Sequence, residues 1–190
     1  MKIIGLAGRP GSGKSAVARA LAAETEVEWI DLDRVAWKTY APGSETFDRV
    51  VDRFGEEIVD ADGEIDRGEL AIRIFLDSEA KADLEAIVHP AVLDHLLRFA
   101  EAHRVGGTKI LLVEGALLSS SPHVNPTTFD AILWLDAPDD VRAERLRVAG
   151  RADHAARGDN MAPGLGAVVI DAVGTVADVA DRIREQIADL

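Results

Sequence analysis

Hydrophobic and polar positions change period in a regular way along the chain. Ile3-Ile4-Gly5-Leu6-Ala7 is a continuous apolar run of strand length, and Ala16 to Ala22 is rich in alanine and leucine, which suits a helix. Val27-Glu28-Trp29-Ile30 predicts a second strand, ending in Asp31-Leu32-Asp33. From Arg34 to about Val105 the pattern is helical almost throughout. Ser44 is placed to cap a helix over Glu45 to Phe54, and Asp60-Ala61-Asp62-Gly63 is a turn. Asp66 then caps Arg67 to Leu76, where Leu70, Ile74, Ile72 and Phe75 supply an apolar stripe. Ala80 to Ile87 predicts another short helix, and His89-Pro90 starts the next, with Pro90 in the first turn where its missing N–H costs nothing.

Gly106-Gly107 breaks the helical stretch. Lys109 to Val113 is then a strand of the fully buried parallel type, ending in Glu114-Gly115. Ser119 to Pro122 and Asn125-Pro126 read as loop. Phe129 to Leu135 is a fourth strand, Asp139 to Ala149 a helix, Ala167 to Asp171 a fifth strand, and Val176 to Leu190 a terminal amphipathic helix. Between them Arg151 to Gly166, with glycines at 158, 164 and 166 and a proline at 163, reads as a mobile loop.

Strands alternating with helices predict an α/β protein with a five-stranded parallel sheet between helical layers. Residues 1–33 and 106–190 form the expected core, with a short lid at about 148–166. Residues 34–105, which carry no strand signal, form a helical insertion, the natural place for a substrate-specific domain.

Composition narrows the function classes. A length of 190 residues accommodates one such core and a modest insertion. The net charge of −13, with no basic stripe, argues against a nucleic-acid-binding surface. An anionic substrate must therefore be caught by a local cluster of Lys and Arg. There is no cysteine, hence no disulfide framework or thiolate metal site. No apolar run reaches membrane-spanning length, and the chain enters a strand at once rather than a signal peptide, so a cytoplasmic protein is expected. Oligomeric state is not legible.

The chemistry concentrates in Gly8-Arg9-Pro10-Gly11-Ser12-Gly13-Lys14-Ser15, set between the first strand and the first helix. This is the G-x-x-x-x-G-K-[ST] pattern in the context that gives it meaning. Glycines permit positive φ, so backbone N–H groups of Gly11, Ser12, Gly13, Lys14, Ser15 and Ala16 can surround a phosphate at a helix N-terminus. Lys14 is expected to reach the β- and γ-phosphates of ATP, and the Ser15 hydroxyl to ligate Mg²⁺. Glu114, ending an apolar strand, is the candidate partner for Mg²⁺ or its water. Asp31 and Asp33 alternate around Leu32, so in an extended segment they share a face near the phosphates. One of them handles a proton or a hydrated Mg²⁺, or Asp33 caps a helix starting at Arg34. On the helix after the fourth strand, Arg145 shares a face with Arg142 and is the candidate cation for the transferring phosphoryl group, with Arg151 as a possible second.

Three further segments accompany the loop: Ile-Asp-Leu-Asp-Arg at 30–34, Phe-Gly-Glu-Glu-Ile-Val-Asp-Ala-Asp-Gly-Glu-Ile-Asp-Arg at 54–67, and Leu-Glu-Ala-Ile-Val-His-Pro at 84–90. In order and spacing they resemble the dephospho-CoA kinases, well over residues 1–105 and loosely beyond. The resemblance implies a three-layer P-loop kinase fold and transfer of the ATP γ-phosphoryl group to the ribose 3′-hydroxyl of dephospho-CoA. It implies Asp33 as the base for that hydroxyl, with Arg67, Arg73 and His89 lining the acceptor pocket. The chain departs from the family's usual pattern in several places. Ala116 to Ser120 replaces Pro-Leu-Leu-Phe-Glu, Trp37-Lys38 replaces an arginine or histidine after Asp-x-Asp, and Ala172 replaces an asparagine. The lid is shortened as well. These departures leave open a small-molecule kinase with another acceptor, or a nucleotide-binding regulator without turnover.

Overall fold

The computed structural model describes residues 1–75, 77–115, 118, 126–158 and 161–190. The loop expected at 119–125, four of the five substituted residues at 116–120, and Leu76 at the predicted end of a helix lie outside the described residues.

The chain divides into two compact units, residues 1–31 with 100–190, and residues 32–99. The first holds a five-stranded sheet in the order β2-β3-β1-β4-β5, every neighbouring pair parallel. The strands are β1 (Lys2–Ala7), β2 (Val27–Asp31), β3 (Ile110–Glu114), β4 (Ala131–Asp136) and β5 (Val168–Asp171). Central β1 pairs with β3 on one side and β4 on the other. The loop leaving its carboxyl end therefore emerges where strand order reverses, the position at which open α/β sheets bind ligands.

Alternation along the strands sends Ile4, Leu6, Leu112, Leu133, Leu135 and Ile170 to one face. There they pack with Val17, Ala18 and Leu21 of α1 (Lys14–Leu21) and Val179, Ala180, Ile183 and Ile187 of α7 (Val176–Ala188). Burying each large aliphatic side chain contributes about 1.5–3 kcal/mol. Leu111, Val113 and Trp134, which alternate to the opposite face, are buried too, so both faces are covered. Thr175 caps α7 reciprocally: its hydroxyl accepts from the Asp178 N–H at 3.2 Å, and Asp178 accepts from the Thr175 N–H at 2.8 Å. That bonding holds the Asp178 carboxyl below the usual carboxylate range.

In the second unit, α2 (Leu32–Thr39) follows β2 without a loop. Asp33 therefore lies in the first helical turn, neither capping Arg34 nor sharing an extended segment with Asp31 as expected. Ser44 does cap α3 (Glu45–Phe54), accepting from the Phe47 N–H at 3.0 Å. Asp60 Oδ1 accepts the N–H groups of Asp62 and Glu64 at 2.9 Å, closing a turn across which Val59 and Ile65 form an isolated antiparallel bridge. Asp66 caps α4 (Arg67–Phe75) through the N–H groups of Gly68 and Glu69. Of the predicted α4 stripe only Leu70 is buried; Ile72 and Phe75 are exposed.

Two helices expected at 80–87 and after His89 are one, α5 (Ser78–Val105), with Pro90 inside it. An interior proline costs about 3 kcal/mol through its lost hydrogen bond and ring clash. Buried Val88, Val92, Leu96 and Ala100, four residues apart, run on one face through the proline, and their burial outweighs that cost. Past the end of α5 the chain turns at Gly107, whose φ of +89° suits glycine, and the Thr108 N–H returns to the His103 carbonyl.

Helix α6 (Asp139–Val148) follows β4. Part of the segment expected to be a mobile loop is ordered: Ala152–Gly158 forms a 3-10 helix, and buried Gly158 lies against Arg9 and Pro10. Local N–H bonds begin this turn, His154 N–H to the Arg151 carbonyl at 3.0 Å, and a residue without Cβ lets it settle.

Candidate active site

Gly8, Gly11 and Gly13 hold φ of +146°, +81° and +99°, a region costly for any residue with a Cβ. Close approach adds to this at Gly8, where an ideal Cβ would lie 2.5 Å from the Leu135 carbonyl oxygen. Gly13 is the N-cap of α1 and supplies no side chain, so no cap claims the first-turn N–H groups. They and the helix dipole form an anion cradle. Two N–H groups are already used within the loop, Ser12 to the Arg9 carbonyl and Ala16 to the Gly13 carbonyl, each at 3.1 Å. Ser12 itself is buried, its Oγ without a hydrogen-bond partner among the described residues.

Lys14 is half-buried, and its ammonium folds back to donate to the Gly8 carbonyl at 2.7 Å and the Arg9 carbonyl at 3.2 Å. The cation thus lies across the loop that the cradle is made of. Ser15 Oγ donates to Glu114 Oε1 at 2.5 Å. Glu114 is only 5% exposed, and Asp31 sits beside it in the β2–β3 register. Arg145 reaches across the loop: Nη1 donates to the Ser12 carbonyl at 3.1 Å, and Nη2 to the carbonyls of Ala172 at 2.9 Å and Gly174 at 3.3 Å. The first unit therefore brings together Gly11 to Ala16, Glu114 and Arg145.

The candidate acceptor residues belong to the second unit and differ in state. The Arg67 guanidinium stacks 4.4 Å from the ring centroid of half-exposed Trp37 and makes no ion pair among the described residues. Tyr40, whose hydroxyl burial pushes above its usual value, feels the Arg67 charge in the opposite direction. Arg73 has a structural task, donating to the Phe54 carbonyl at 2.5 Å at the end of α3. His89 is 7% exposed within α5, not at a helix start. Asp33 is exposed in the first turn of α2.

Sequence reasoning assigned no task to Arg142, which is 4% exposed and bonded to the loop. Its signal was the spacing Asp139 to Arg142, an i,i+3 pair on one helix face.

Ser15 and Glu114 offer hard oxygen donors suited to Mg²⁺, an ion that keeps several waters and needs no all-protein cage. Among the described residues no group of three or more His, Cys, Asp or Glu forms such a cage.

Residues 2–157 match the family model described as dephospho-CoA kinase. A Frankia casuarinae protein named dephospho-CoA kinase is 37% identical over all of this chain and 84% of its own length. One from Corynebacterium glutamicum is 35% identical over 98% of both chains. A solved structure from Thermus thermophilus superposes with a TM-score of 0.78 at 29% identity, covering 100% of this chain and 97% of that one. The dephospho-CoA kinase of Campylobacter jejuni shares the fold, with a TM-score of 0.59 at 14% identity over 100% of this chain and 97% of its own. The chain belongs to the dephospho-CoA kinase family.

Proposed function

We propose that this protein transfers the γ-phosphoryl group of ATP to the ribose 3′-hydroxyl of dephospho-CoA, giving coenzyme A and ADP. The observation that carries this reading is the Gly8–Ser15 loop, with Lys14 folded over it and Ser15 joined to Glu114, in a chain of this family.

On the donor side, Lys14 exchanges two neutral carbonyl partners for phosphate oxygens, which accept a charge-assisted and stronger bond. The N–H groups at the start of α1 hold the β-phosphate. The Ser15 hydroxyl and Glu114 would hold Mg²⁺ directly or through its water, and the ion would supply positive charge against the charge developing on the phosphate oxygens. Arg145 keeps Ser12 in place and supplies positive charge beside Gly13, 3.5 Å from where a Cβ would be.

On the acceptor side, Asp33 accepts the proton of the ribose hydroxyl and orients its oxygen. A loose phosphoryl-transfer transition state asks little basicity of such a group. Arg67, without a carboxylate partner among the described residues, provides a cation for the acceptor's phosphates, with Trp37 holding its guanidinium plane. Arg73, at the end of α3, and His89, within α5, are the further residues read as lining the acceptor pocket. A reaction that consumes ATP supports the reading of a cytoplasmic protein.

The test is ADP release, coupled to a reporter, with ATP and Mg²⁺ against dephospho-CoA, pantothenate, nucleosides and small hydroxy compounds. Dephospho-CoA should be the preferred acceptor by kcat/KM. Preference for another acceptor, or no acceptor-dependent ADP release, would overturn the assignment.

A further inference from the structure

Positions 9 to 11 of the phosphate loop are gripped from two sides. An ideal Cβ on Gly11 would lie 2.6 Å from the Arg142 carbonyl oxygen, so the loop backbone touches the backbone of α6. The Arg142 side chain rises from that contact: Nη1 donates to the Pro10 carbonyl at 2.9 Å and Nη2 to Asp139 Oδ1 at 2.8 Å. Asp139 also accepts from Arg9 Nη1 at 2.9 Å, and Arg9 Nη2 reaches Asp136 Oδ1 at 3.3 Å. The Arg142 hydrogen bond, then the Arg9 charge, hold the Asp139 carboxyl below the usual carboxylate range. On another side Gly158 packs so closely that its ideal Cβ would be 2.7 Å from Pro10 Cδ.

A buried guanidinium is an expensive way to fill space. Arg142 is 4% exposed, and its Nε is buried without a hydrogen-bond partner among the described residues. An apolar side chain of similar volume would serve stability as well or better. What only the guanidinium supplies is a rigid fork joining the Pro10 carbonyl to a carboxylate that also holds Arg9.

We propose that Arg142, through Asp139, is a positioning residue that sets Arg9-Pro10-Gly11 in the phosphate-binding conformation before ATP arrives. Loop order is then supplied by α6 rather than drawn from ATP binding energy, which is preorganisation. The proposal rests on the phosphate-loop reading. Arg142 is accordingly no neutral reference against which Arg145 can be judged, although both lie on one helix face.

The test compares Arg142→Met, which keeps the packing, Arg142→Lys, which keeps the charge without the fork, and Asp139→Asn, whose side chain is 78% exposed and packs little. Each is assayed for melting temperature, ATP dissociation constant, KM for ATP and KM for dephospho-CoA. Losing a charge-assisted bond to the loop should weaken ATP binding about 10-fold in Arg142→Met. Arg142→Lys should recover part of that loss, and Asp139→Asn should move the same way by about 3-fold. KM for dephospho-CoA should stay unchanged in all three. Should Arg142→Met not fold, Asp139→Asn decides. Folded variants that bind ATP as the wild type does would overturn the proposal, whatever their melting temperature. Wild-type protein that binds no ATP would instead overturn the phosphate-loop reading beneath it.

Discussion

Replacing Gly11 by alanine separates backbone strain from loop displacement, because Gly63 offers a matched comparison. Both hold nearly the same left-handed conformation, φ +81° at Gly11 and +79° at Gly63. Alanine there costs about 1–2 kcal/mol at either site. At Gly63 an added Cβ meets nothing among the described residues within 4 Å, so strain is the whole effect. At Gly11 it meets the Arg142 carbonyl oxygen at 2.6 Å, against at least 3.4 Å in ordinary contact. That oxygen is a backbone atom of α6, whose Arg145 also bonds the Ala172 and Gly174 carbonyls, so the phosphate loop has to move. A misplacement approaching 1 Å costs about 10²-fold in rate. Gly63→Ala should therefore melt lower by strain alone, about 2–4 °C per kcal/mol for a chain of this size, and Gly11→Ala by at least as much. Only Gly11→Ala should lose ATP affinity, by about 10-fold or more, and kcat/KM by about 10²-fold. Calorimetry, ATP titration and steady-state kinetics on the pair would show it. Equal kinetics in the two variants would refute the reasoning that α6 fixes the loop.

Three other perturbations probe separate parts. Lys14→Ala should abolish detectable phosphoryl transfer while the circular dichroism spectrum stays native; since Lys14 bridges two loop carbonyls, a small drop in melting temperature should accompany it. Asp33→Asn should lower kcat by about 10²–10⁴ with ATP affinity nearly unchanged, and rates within a few-fold of wild type would remove Asp33 from the chemistry. Thr175→Ala should cost about 1 kcal/mol by denaturant melting and leave kinetics untouched. The Asp178 carboxyl is depressed in the folded protein, so its contribution is present above the ordinary carboxylate value and lost as pH falls through the lower folded value. The wild-type advantage over Thr175→Ala should accordingly be flat at neutral pH and shrink only in acid.

Local signals made much of the fold legible. Apolar runs marked all five strands, and short polar side chains at Ser44 and Asp66 marked where α3 and α4 begin. The strand, glycine loop and helix around Lys14 were legible too, because glycine spacing records the positive-φ backbone that the loop adopts. What was not legible depends on distant packing. Pro90 reads as a boundary until Val88, Val92 and Leu96 are seen buried along one face through it. Asp33 looks like a cap because nothing local shows that α2 starts at Leu32. Arg142 looks like a solvated helix arginine because its partner, the Pro10 carbonyl, lies 132 residues away in sequence. The bond from Arg73 to the Phe54 carbonyl was likewise hidden, because its partner lies on another helix.

The most direct test of the central claim follows one atom. Wild-type protein is incubated with Mg²⁺, dephospho-CoA and ATP carrying an isotopic label on its γ-phosphorus, and the products are separated and examined by mass spectrometry and phosphorus NMR. Transfer through the Gly8–Ser15 loop predicts the label in a single new phosphomonoester on the 3′-oxygen of the acceptor ribose, with ADP formed in equal amount. Label found only in inorganic phosphate, on another hydroxyl, or still in ATP would contradict it.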